Sequence, residues 1–312
     1  MKKLSLFSPG TIANISCGFD VLGVALDEVG DVMHFEVTDK PGWRISEIKG
    51  ADLPLDVAKN TAGVAGLSLL NTYKSQGGDP PGFSLMIEKN IKAGSGIGSS
   101  AASASGAVWG INELLNRPFS PLELVSFAME GEKLASGVAH ADNVAPGIFG
   151  GFTLIRSYEP LDIVALPCPD DLYAVVLHPQ IEIKTQDARS ILKTQLSLRQ
   201  ATTQWGNLGG LIAGLYTNDY GLISRSLVDV VVEPIRSLLI PGFDELKKTM
   251  LESGALGAGI SGSGPSVFGL AQGNDQARSI AQAIEINYRQ WGIDFEVHCA
   301  KINTQGIKMI QA

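Results

Sequence analysis

The chain has 312 residues, of which 45% are apolar and 18% charged, a composition typical of a folded protein and unlike that of disordered chains. Its net charge is −8, and no run of Lys or Arg exceeds two residues, so a nucleic-acid partner is not expected. No apolar run approaches the roughly 18 residues of a membrane span, and the apolar stretch at the N-terminus is too short for a signal peptide. The three cysteines are scattered, which predicts a reduced, cytoplasmic protein. The length predicts about two domains.

The first half of the sequence predicts two strands followed by two helices. Residues 30–40 alternate in polarity as a strand does, and residues 83–88 resemble a second strand. In the first strand, acidic residues interrupt an apolar face; the apolar positions are Met33, Phe35 and Val37, and the acidic ones are Asp31, Glu36 and Asp39. Residues 99–115 have apolar side chains at helical spacing. Ser120-Pro121 then starts another helix, which is expected to run to about residue 135.

The second half begins after a turn of proline and acidic residues at 167–171, which predicts a boundary between domains of residues 1–166 and 167–312. Strands are predicted at 172–179, 265–270 and 294–300, and helices at 186–198, within 203–238, at 243–252 and at 275–291. Strands and helices alternate without a strict βαβ rhythm. The predicted class is therefore α+β.

A glycine-rich loop at residues 94–100 separates a predicted strand from a predicted helix. Three glycines in five positions let backbone N–H groups converge on one point, and the helix that follows adds its own N-terminal N–H groups, so the loop suits a polyphosphate. It lacks the lysine of the P-loop. Gly96-x-Gly98-x-x-Ala101 also fits a dinucleotide fingerprint, but that fold expects a strand where Pro121 opens a second helix. A turn that needs glycine only for steric reasons is the remaining alternative.

Two further motifs accompany this loop. Residues 9–23 read PGTIANISCGFDVLG, and residues 257–268 read GAGISGSGPSVF. Together with GSGIGSSAA, and in this order, they resemble the three signature motifs of the GHMP kinase superfamily, and the first is similar to that of its homoserine kinases. Further similarity lies at Glu132, 140–146, 185–189 and 233–236, so the resemblance extends over nearly the whole chain.

The resemblance implies a fold and an activity. The N-terminal domain is expected to be similar to the second domain of ribosomal protein S5, and the C-terminal domain to be ferredoxin-like. The implied activity is transfer of a phosphoryl group from ATP, with Mg²⁺, to the side-chain hydroxyl of L-homoserine, a step toward threonine. A homodimer is the assembly that the family leads us to expect.

The resemblance also assigns residues to the nucleotide and the metal. The nucleotide residues are Asn60, Thr61, Lys89, Lys92, Ala93, Gly94, Ser95, Gly96, Ile97, Gly98, Ser99, Ser100 and Ala101. Ser100 and Glu132 are expected to hold Mg²⁺, with Glu130, on the other helical face, as the structural alternative to Glu132. Lys89 is expected either to contact the nucleotide or to be a solvated charge at a strand end.

The sequence departs from the family pattern at two positions. Lys92 stands where the family usually has proline, and it either adds positive charge near the nucleotide or is solvated. Cys17 replaces a second proline, and we interpret it as a small packing residue rather than a nucleophile. Neither change removes a group that the chemistry needs.

An amino-acid substrate needs a carboxylate near its ammonium group and an arginine near its carboxylate. By resemblance, the substrate residues are Asn14, Asp20, His140, Asp142, Thr185, Arg189, Arg236 and Gly262. Related mevalonate and galactose kinases are thought to use an aspartate in the position of Asp142 as a base, whereas in homoserine kinases it is thought to bind the ammonium group. We favour the second role, because a carboxylate paired with a cation has a lowered pKa and is a poor base.

Overall fold

The structure is a computed structural model that describes residues 2–310, and its strands form two sheets. The strands in this range are β1 (Lys3–Ala13), β2 (Leu22–Thr38), β3 (Trp43–Lys49), β4 (Gly82–Glu88), β5 (Phe152–Tyr158), β6 (Leu161–Leu166), β7 (Leu172–Pro179), β8 (Gly257–Ile260), β9 (Val267–Gln272), β10 (Phe295–Lys301) and β11 (Lys308–Ile310). Over the same range, no helix is long and apolar enough to cross a membrane.

Helices pack against both sheets. They are α1 (Thr61–Ser75), α2 (Ser99–Leu114), α3 (Pro121–Ser136), α4 (Val144–Phe149), α5 (Thr185–Ser190), α6 (Leu198–Thr217), α7 (Tyr220–Ser226), α8 (Glu233–Arg236), α9 (Phe243–Glu252) and α10 (Asn274–Tyr288). Several begin at side-chain caps. Ser120 and Glu123 form a capping box at α3, and Ser197 and Gln200 form another at α6.

The first sheet has seven strands, and the second has four. In the first, the order is β11-β1-β2-β4-β3, with β5 pairing to β2 and to β6. In the second, the order is β10-β7-β9-β8, with antiparallel neighbours. The part of the chain that carries the second sheet has β-α-β-β-α-β connectivity. Counted along the chain, its strands β7 to β10 are the first to the fourth, and they lie in the order fourth, first, third and second, which is the ferredoxin-like arrangement. The α+β class is therefore confirmed.

The boundary between the two sheets does not coincide with a single position in the chain. Strand β11 returns to the first sheet, where Ser5 to Phe7 of β1 pair with Lys308 to Ile310. The expected C-terminal unit, 167–312, thus gives its last strand to the other sheet, because β1 would otherwise present an unpaired edge. Residues 1, 311 and 312 of the expected domains lie outside the described range.

Several elements differ from those the sequence predicts. Strand β1, helix α1 and the hairpin of β5 and β6 were not expected, since β1 contains Pro9-Gly10 and α1 is rich in small residues without a strong apolar stripe. The helix predicted at 186–198 ends at Ser190, because Ser197 caps a separate helix. The start of the third motif, for which the sequence predicts no strand, is strand β8.

Helix α2 lies unusually close to the first sheet because two of its glycines face β2. A Cβ atom on Gly106 would lie 2.2 Å from Met33 Sδ, and one on Gly110 would lie 2.4 Å from the ring of Phe35. The close approach brings the N-terminal end of α2 against the strands that carry the first motif. This contact fixes where the glycine-rich loop can lie.

We expect Gly110→Ala to destabilise the protein by about 1–3 kcal/mol, because the added methyl group overlaps Phe35 although alanine is the better helix former. Gly209→Ala is the matched control. Gly209 is helical and exposed, with no atom within 4 Å of the position that a Cβ atom would take, so this change should stabilise by up to about 1 kcal/mol. Urea unfolding of both variants measures the difference, and equal effects would contradict the packing argument.

Candidate active site

A cavity of about 510 Å³ lies between the two sheets, a size typical of small-molecule sites. Its wall combines the first motif, the glycine-rich loop, α3, the segment before α4, α5 and the third motif. All eight predicted substrate residues line it, together with the metal residues Ser100 and Glu132. One cavity therefore brings together residues from both sheets and all three motifs.

The glycine-rich loop can adopt its path only with glycine. Gly94, Gly96 and Gly98 have φ values of +74°, +80° and +67°, which favour glycine. A Cβ atom on Gly96 would lie 2.7 Å from the carbonyl oxygen of Gly264, and one on Gly98 would lie 2.1 Å from Thr11 Oγ1. Helix α2 starts immediately afterwards, so its free N–H groups and positive dipole end face the same cavity.

The third motif holds this loop from the other sheet. The buried hydroxyl of Ser261 donates to the carbonyl oxygen of Gly96 at 2.6 Å, and that of Ser266 donates to the carbonyl oxygen of Ser95 at 2.6 Å. These bonds engage the carbonyl oxygens of two successive loop residues. They hold the glycine-rich loop against the third motif.

Most of the predicted nucleotide residues line the cavity, but three do not. Those that line it are Asn60, Thr61, Lys89, Ala93, Gly94, Ser95, Gly96, Gly98, Ser99 and Ser100. Ile97 and Ala101 point into the core and are 1% exposed. Lys92 points away and contacts Gln180 and Glu296 on the second sheet, its Nζ lying 3.0 Å from the Glu296 carboxylate. Its side chain is 54% exposed, so the alternative of a solvated lysine is confirmed, and Lys92 does not line the cavity.

A buried ion pair joins Lys89 to Asp31 beneath the loop. Their side chains are 2% and 0% exposed, and burial lowers the pKa of Lys89. The remaining Lys89 hydrogens go to the carbonyl oxygen of Ser99, at 2.9 Å, and to Ser103 Oγ, at 3.0 Å. The alternative of a solvated charge at the strand end is therefore wrong for Lys89, whose partner is the buried Asp31. Lys89 lines the cavity, but its three hydrogens are already donated to protein groups.

Ser100 and Glu132 meet at the cavity wall. Glu132 is buried and accepts a hydrogen bond from the Ser100 side chain, while burial raises its pKa to about 7 against the opposing effects of Ser100 and Lys89. Glu130 is exposed and does not line the cavity, so it is excluded as the alternative. A hydroxyl and a carboxylate are the hard oxygen donors that Mg²⁺ prefers, and they suit it chemically. No cluster of three or more His, Cys, Asp or Glu in residues 2–310 is placed to hold a metal unaided.

Asp142 lines the cavity with Glu132 and Asp20 and is affected by the charges of both. Burial, followed by the charges of Asp20 and Glu132, raises its pKa to about 7. The lowered pKa that the sequence leads us to expect belongs to Asp142 paired with the ammonium group of a substrate, so that expectation stays a prediction.

At the far end of the cavity, two arginines flank an aromatic ring. Arg189 Nη2 lies 2.7 and 2.9 Å from the two carboxylate oxygens of Asp20. Arg236 is 3% exposed and donates to the carbonyl oxygens of Ala188 and Gly262. Both guanidinium groups lie over Phe19, with ring-centroid distances of 5.4 and 5.1 Å. Phe19 was not predicted from the sequence, although its place beside Asp20 in the first motif was a signal.

The other predicted substrate residues surround this charged end. Asn14 donates to the carbonyl oxygen of Gly262 at 2.8 Å and accepts from the backbone N–H of Asp20 at 2.9 Å. His140 Nδ1 lies 3.9 Å from Asp20 Oδ1, and burial lowers its pKa. Thr185 Oγ1 lies 3.3 Å from Ser263 Oγ. The cavity therefore has anionic and cationic groups at one end and a phosphate-type loop at the other.

We expect Asp142→Asn to be more stable than the wild type above pH 7, by about 1–3 kcal/mol. The Asp142 pKa is about 7 in the fold against an ordinary 3.8, so the folded protein holds this proton more tightly. Wild-type stability should fall as the pH rises from about 4 to 7, and the advantage of the variant should vanish toward pH 4. Urea unfolding at pH 5 and pH 8 tests this, with the exposed Asp187→Asn as control; a less stable Asp142→Asn at pH 8 would contradict it.

Comparison with known proteins agrees with this geometry. The family models of the GHMP kinases N terminal domain and GHMP kinases C terminal match residues 60–151 and 211–290. A crystal structure of homoserine kinase from Cytophaga hutchinsonii is 49% identical, with a TM-score of 0.93, and the match covers 99% of this chain and 98% of that one. Homoserine kinases from Chlorobium phaeovibrioides and Chlorobium phaeobacteroides are 47% and 43% identical over 91% and 99% of this chain, and over 92% and 100% of their own. This chain therefore belongs to the GHMP kinase family.

Proposed function

We propose that this protein phosphorylates the side-chain hydroxyl of L-homoserine with ATP, forming O-phospho-L-homoserine and ADP on the route to threonine. The observation that carries the proposal is a single cavity with a phosphate loop at one end and both signs of charge at the other. The relatives named homoserine kinase, at 43–49% identity over nearly the whole chain, support the same assignment.

The loop end would receive the phosphates of ATP. Backbone N–H groups of residues 94–98 and of the first turn of α2 offer hydrogen bonds to the phosphate oxygens. Ser100 and Glu132 would hold Mg²⁺, which neutralises the charge that develops on the transferred phosphoryl group. Asn60 and Thr61, at the start of α1, lie on the same wall and would face the nucleoside.

The charged end would receive the amino-acid part of homoserine. Asp20 and Arg189 neutralise each other in this structure. A zwitterion replaces both partners, because its ammonium group takes the place of the guanidinium at Asp20 while its carboxylate pairs with Arg189 and Arg236. A substrate with only one charge would separate Asp20 from Arg189 and then pair with one of them, which leaves the other without a partner. The site therefore discriminates against such a substrate.

The transfer itself needs little from the protein beyond positioning and charge. The transition state of phosphoryl transfer is loose, so the hydroxyl keeps its proton until late. Asp142, between Asp20 and Glu132, would hold the ammonium group together with Asp20. Its pKa near 7 falls when that cation arrives, and the substrate hydroxyl then attacks the γ-phosphate directly.

The remaining expectations concern assembly and location. We propose a homodimer through the exposed side of α6, where Leu198, Trp205 and Tyr216 are 75%, 63% and 59% exposed. A cytoplasmic location is proposed from the scattered free cysteines.

A substrate panel tests the proposal. Homoserine should be phosphorylated, whereas 3-amino-1-propanol, which lacks the carboxylate, and 4-hydroxybutanoate, which lacks the amine, should each lose at least about 100-fold in kcat/KM. Mevalonate and galactose should give no turnover above background. A coupled ADP assay with and without Mg²⁺ measures all five compounds. If the amino alcohol is used as efficiently as homoserine, the assignment of Arg189 and Arg236 to the carboxylate is wrong.

Asp142→Asn separates the two roles considered for this residue. If Asp142 binds the ammonium group, the KM for homoserine should rise at least about tenfold, while kcat falls by less than about tenfold. A general base would instead be revealed by a fall in kcat of about 10²–10⁴ with little change in KM. Asp187→Asn, on α5 but outside the cavity, is the control and should leave both constants unchanged.

A further inference from the structure

Gln204, on α6, joins two segments that carry substrate residues. Its Nε2 donates to the carbonyl oxygen of Cys17 at 3.0 Å and to Asp229 Oδ1 at 3.0 Å. Its Oε1 accepts from the backbone N–H of Val230 at 3.0 Å. Both hydrogens of the side-chain amide are therefore used, one toward each segment.

The first segment is the loop that presents Phe19 and Asp20. It is conformationally strained, since the non-glycine residues Asn14, Ile15, Ser16 and Asp20 have φ values of +74°, +41°, +58° and +61°. Such a loop keeps its shape only when its surroundings hold it. The bond from Gln204 to the carbonyl oxygen of Cys17 is one such restraint, in the middle of the strained stretch.

The second segment carries Arg236. Asp229 is 7% exposed, and its carboxylate accepts backbone N–H bonds from Val231, Val232 and Glu233 at 2.8–3.0 Å, which fixes the start of α8. Arg236 ends this short helix, and its guanidinium lies over Phe19 of the first segment. The two segments thus meet at the charged end of the cavity. Gln204 joins them through its hydrogen bonds to Cys17 and Asp229 but does not itself line the cavity.

We propose that Gln204 is a positioning residue that sets the separation between the ammonium-binding and carboxylate-binding groups of the site. The inference rests on the proposed function, since only a substrate held at both charges senses that separation. The phosphate loop is held by different bonds, from Ser261 and Ser266, to which Gln204 makes no contact. Loss of the bridge therefore weakens binding of the amino acid and leaves the ATP end unchanged.

The test is Gln204→Met, which keeps the side-chain length and removes the amide. We expect the KM for homoserine to rise about tenfold, while kcat and the KM for ATP stay within about twofold. The preference for homoserine over 3-amino-1-propanol should also fall, which a general loss of stability would not cause. Asn207→Leu is the matched control, because Asn207 donates to the carbonyl oxygen of Val228, at 2.8 Å, but does not reach the first motif.

Gln204→Asn keeps the amide but shortens it by one methylene group, and it should give the same selective rise if Gln204→Met does not fold. The proposal is overturned if either variant, once folded, keeps the wild-type KM for homoserine, raises both KM values equally, or matches Asn207→Leu. A wild type that does not phosphorylate homoserine overturns the proposed function instead. An active wild type with an unaffected Gln204→Met overturns only the positioning role.

Discussion

The buried pair of Lys89 and Asp31 fixes where the glycine-rich loop lies. Lys89 directly follows β4 and Asp31 lies in β2, and the same ammonium group holds the first two turns of α2 through the carbonyl oxygen of Ser99 and the hydroxyl of Ser103. Asp31 also accepts backbone N–H bonds from Asn90 and Ile91, where the chain leaves the sheet for the glycine-rich loop. Both ends of the loop are therefore fixed to one charge pair. Removing either partner would leave a buried charge uncompensated, which typically costs about 3–5 kcal/mol.

The second sheet also holds the glycine-rich loop in place. The loop is anchored at its ends by the first sheet, but its middle is shaped by Ser261 and Ser266, which follow β8 and precede β9. Both halves of the chain also supply residues to the charged end of the cavity. Asp20 comes from the first motif, and Arg189 and Arg236 come from the second half of the chain. Neither unit alone contains a complete site. The return of β11 to the first sheet, together with the packing of β10 against β2, makes their relative placement part of the fold.

The sequence predicts the α+β class and most of the residues that line the cavity, but it misses several of the elements around them. Motif residues such as Gly96, Ser100 and Asp142 are recognisable because the chemistry demands a residue type at each position, whatever the distant partners are. Lys89 was misinterpreted because burial of a paired charge depends on a partner 58 residues away, which no local pattern reveals. For Lys92, the sequence correctly offers a solvated charge, but it does not reveal the contact with Glu296 on the second sheet. Helix α1 was missed for a different reason: it is buried on several sides by small residues, so it has little apolar periodicity.

The three carboxylates of the site explain why binding of the two substrates should be coupled. The pKa values of Glu132 and Asp142 are each raised to about 7, mainly by burial, and Asp142 is affected by the charges of both Glu132 and Asp20. Two cations relieve this repulsion in the proposed complex: the metal ion that accompanies ATP at Glu132 and the ammonium group of the amino acid at Asp20 and Asp142. Each cation that binds lowers the free-energy cost of ionising Asp142, and so favours binding of the second cation. In the proposed complex, the two cations therefore offset the charges of Glu132 and Asp142, and binding of ATP with its metal ion is expected to favour binding of the amino acid.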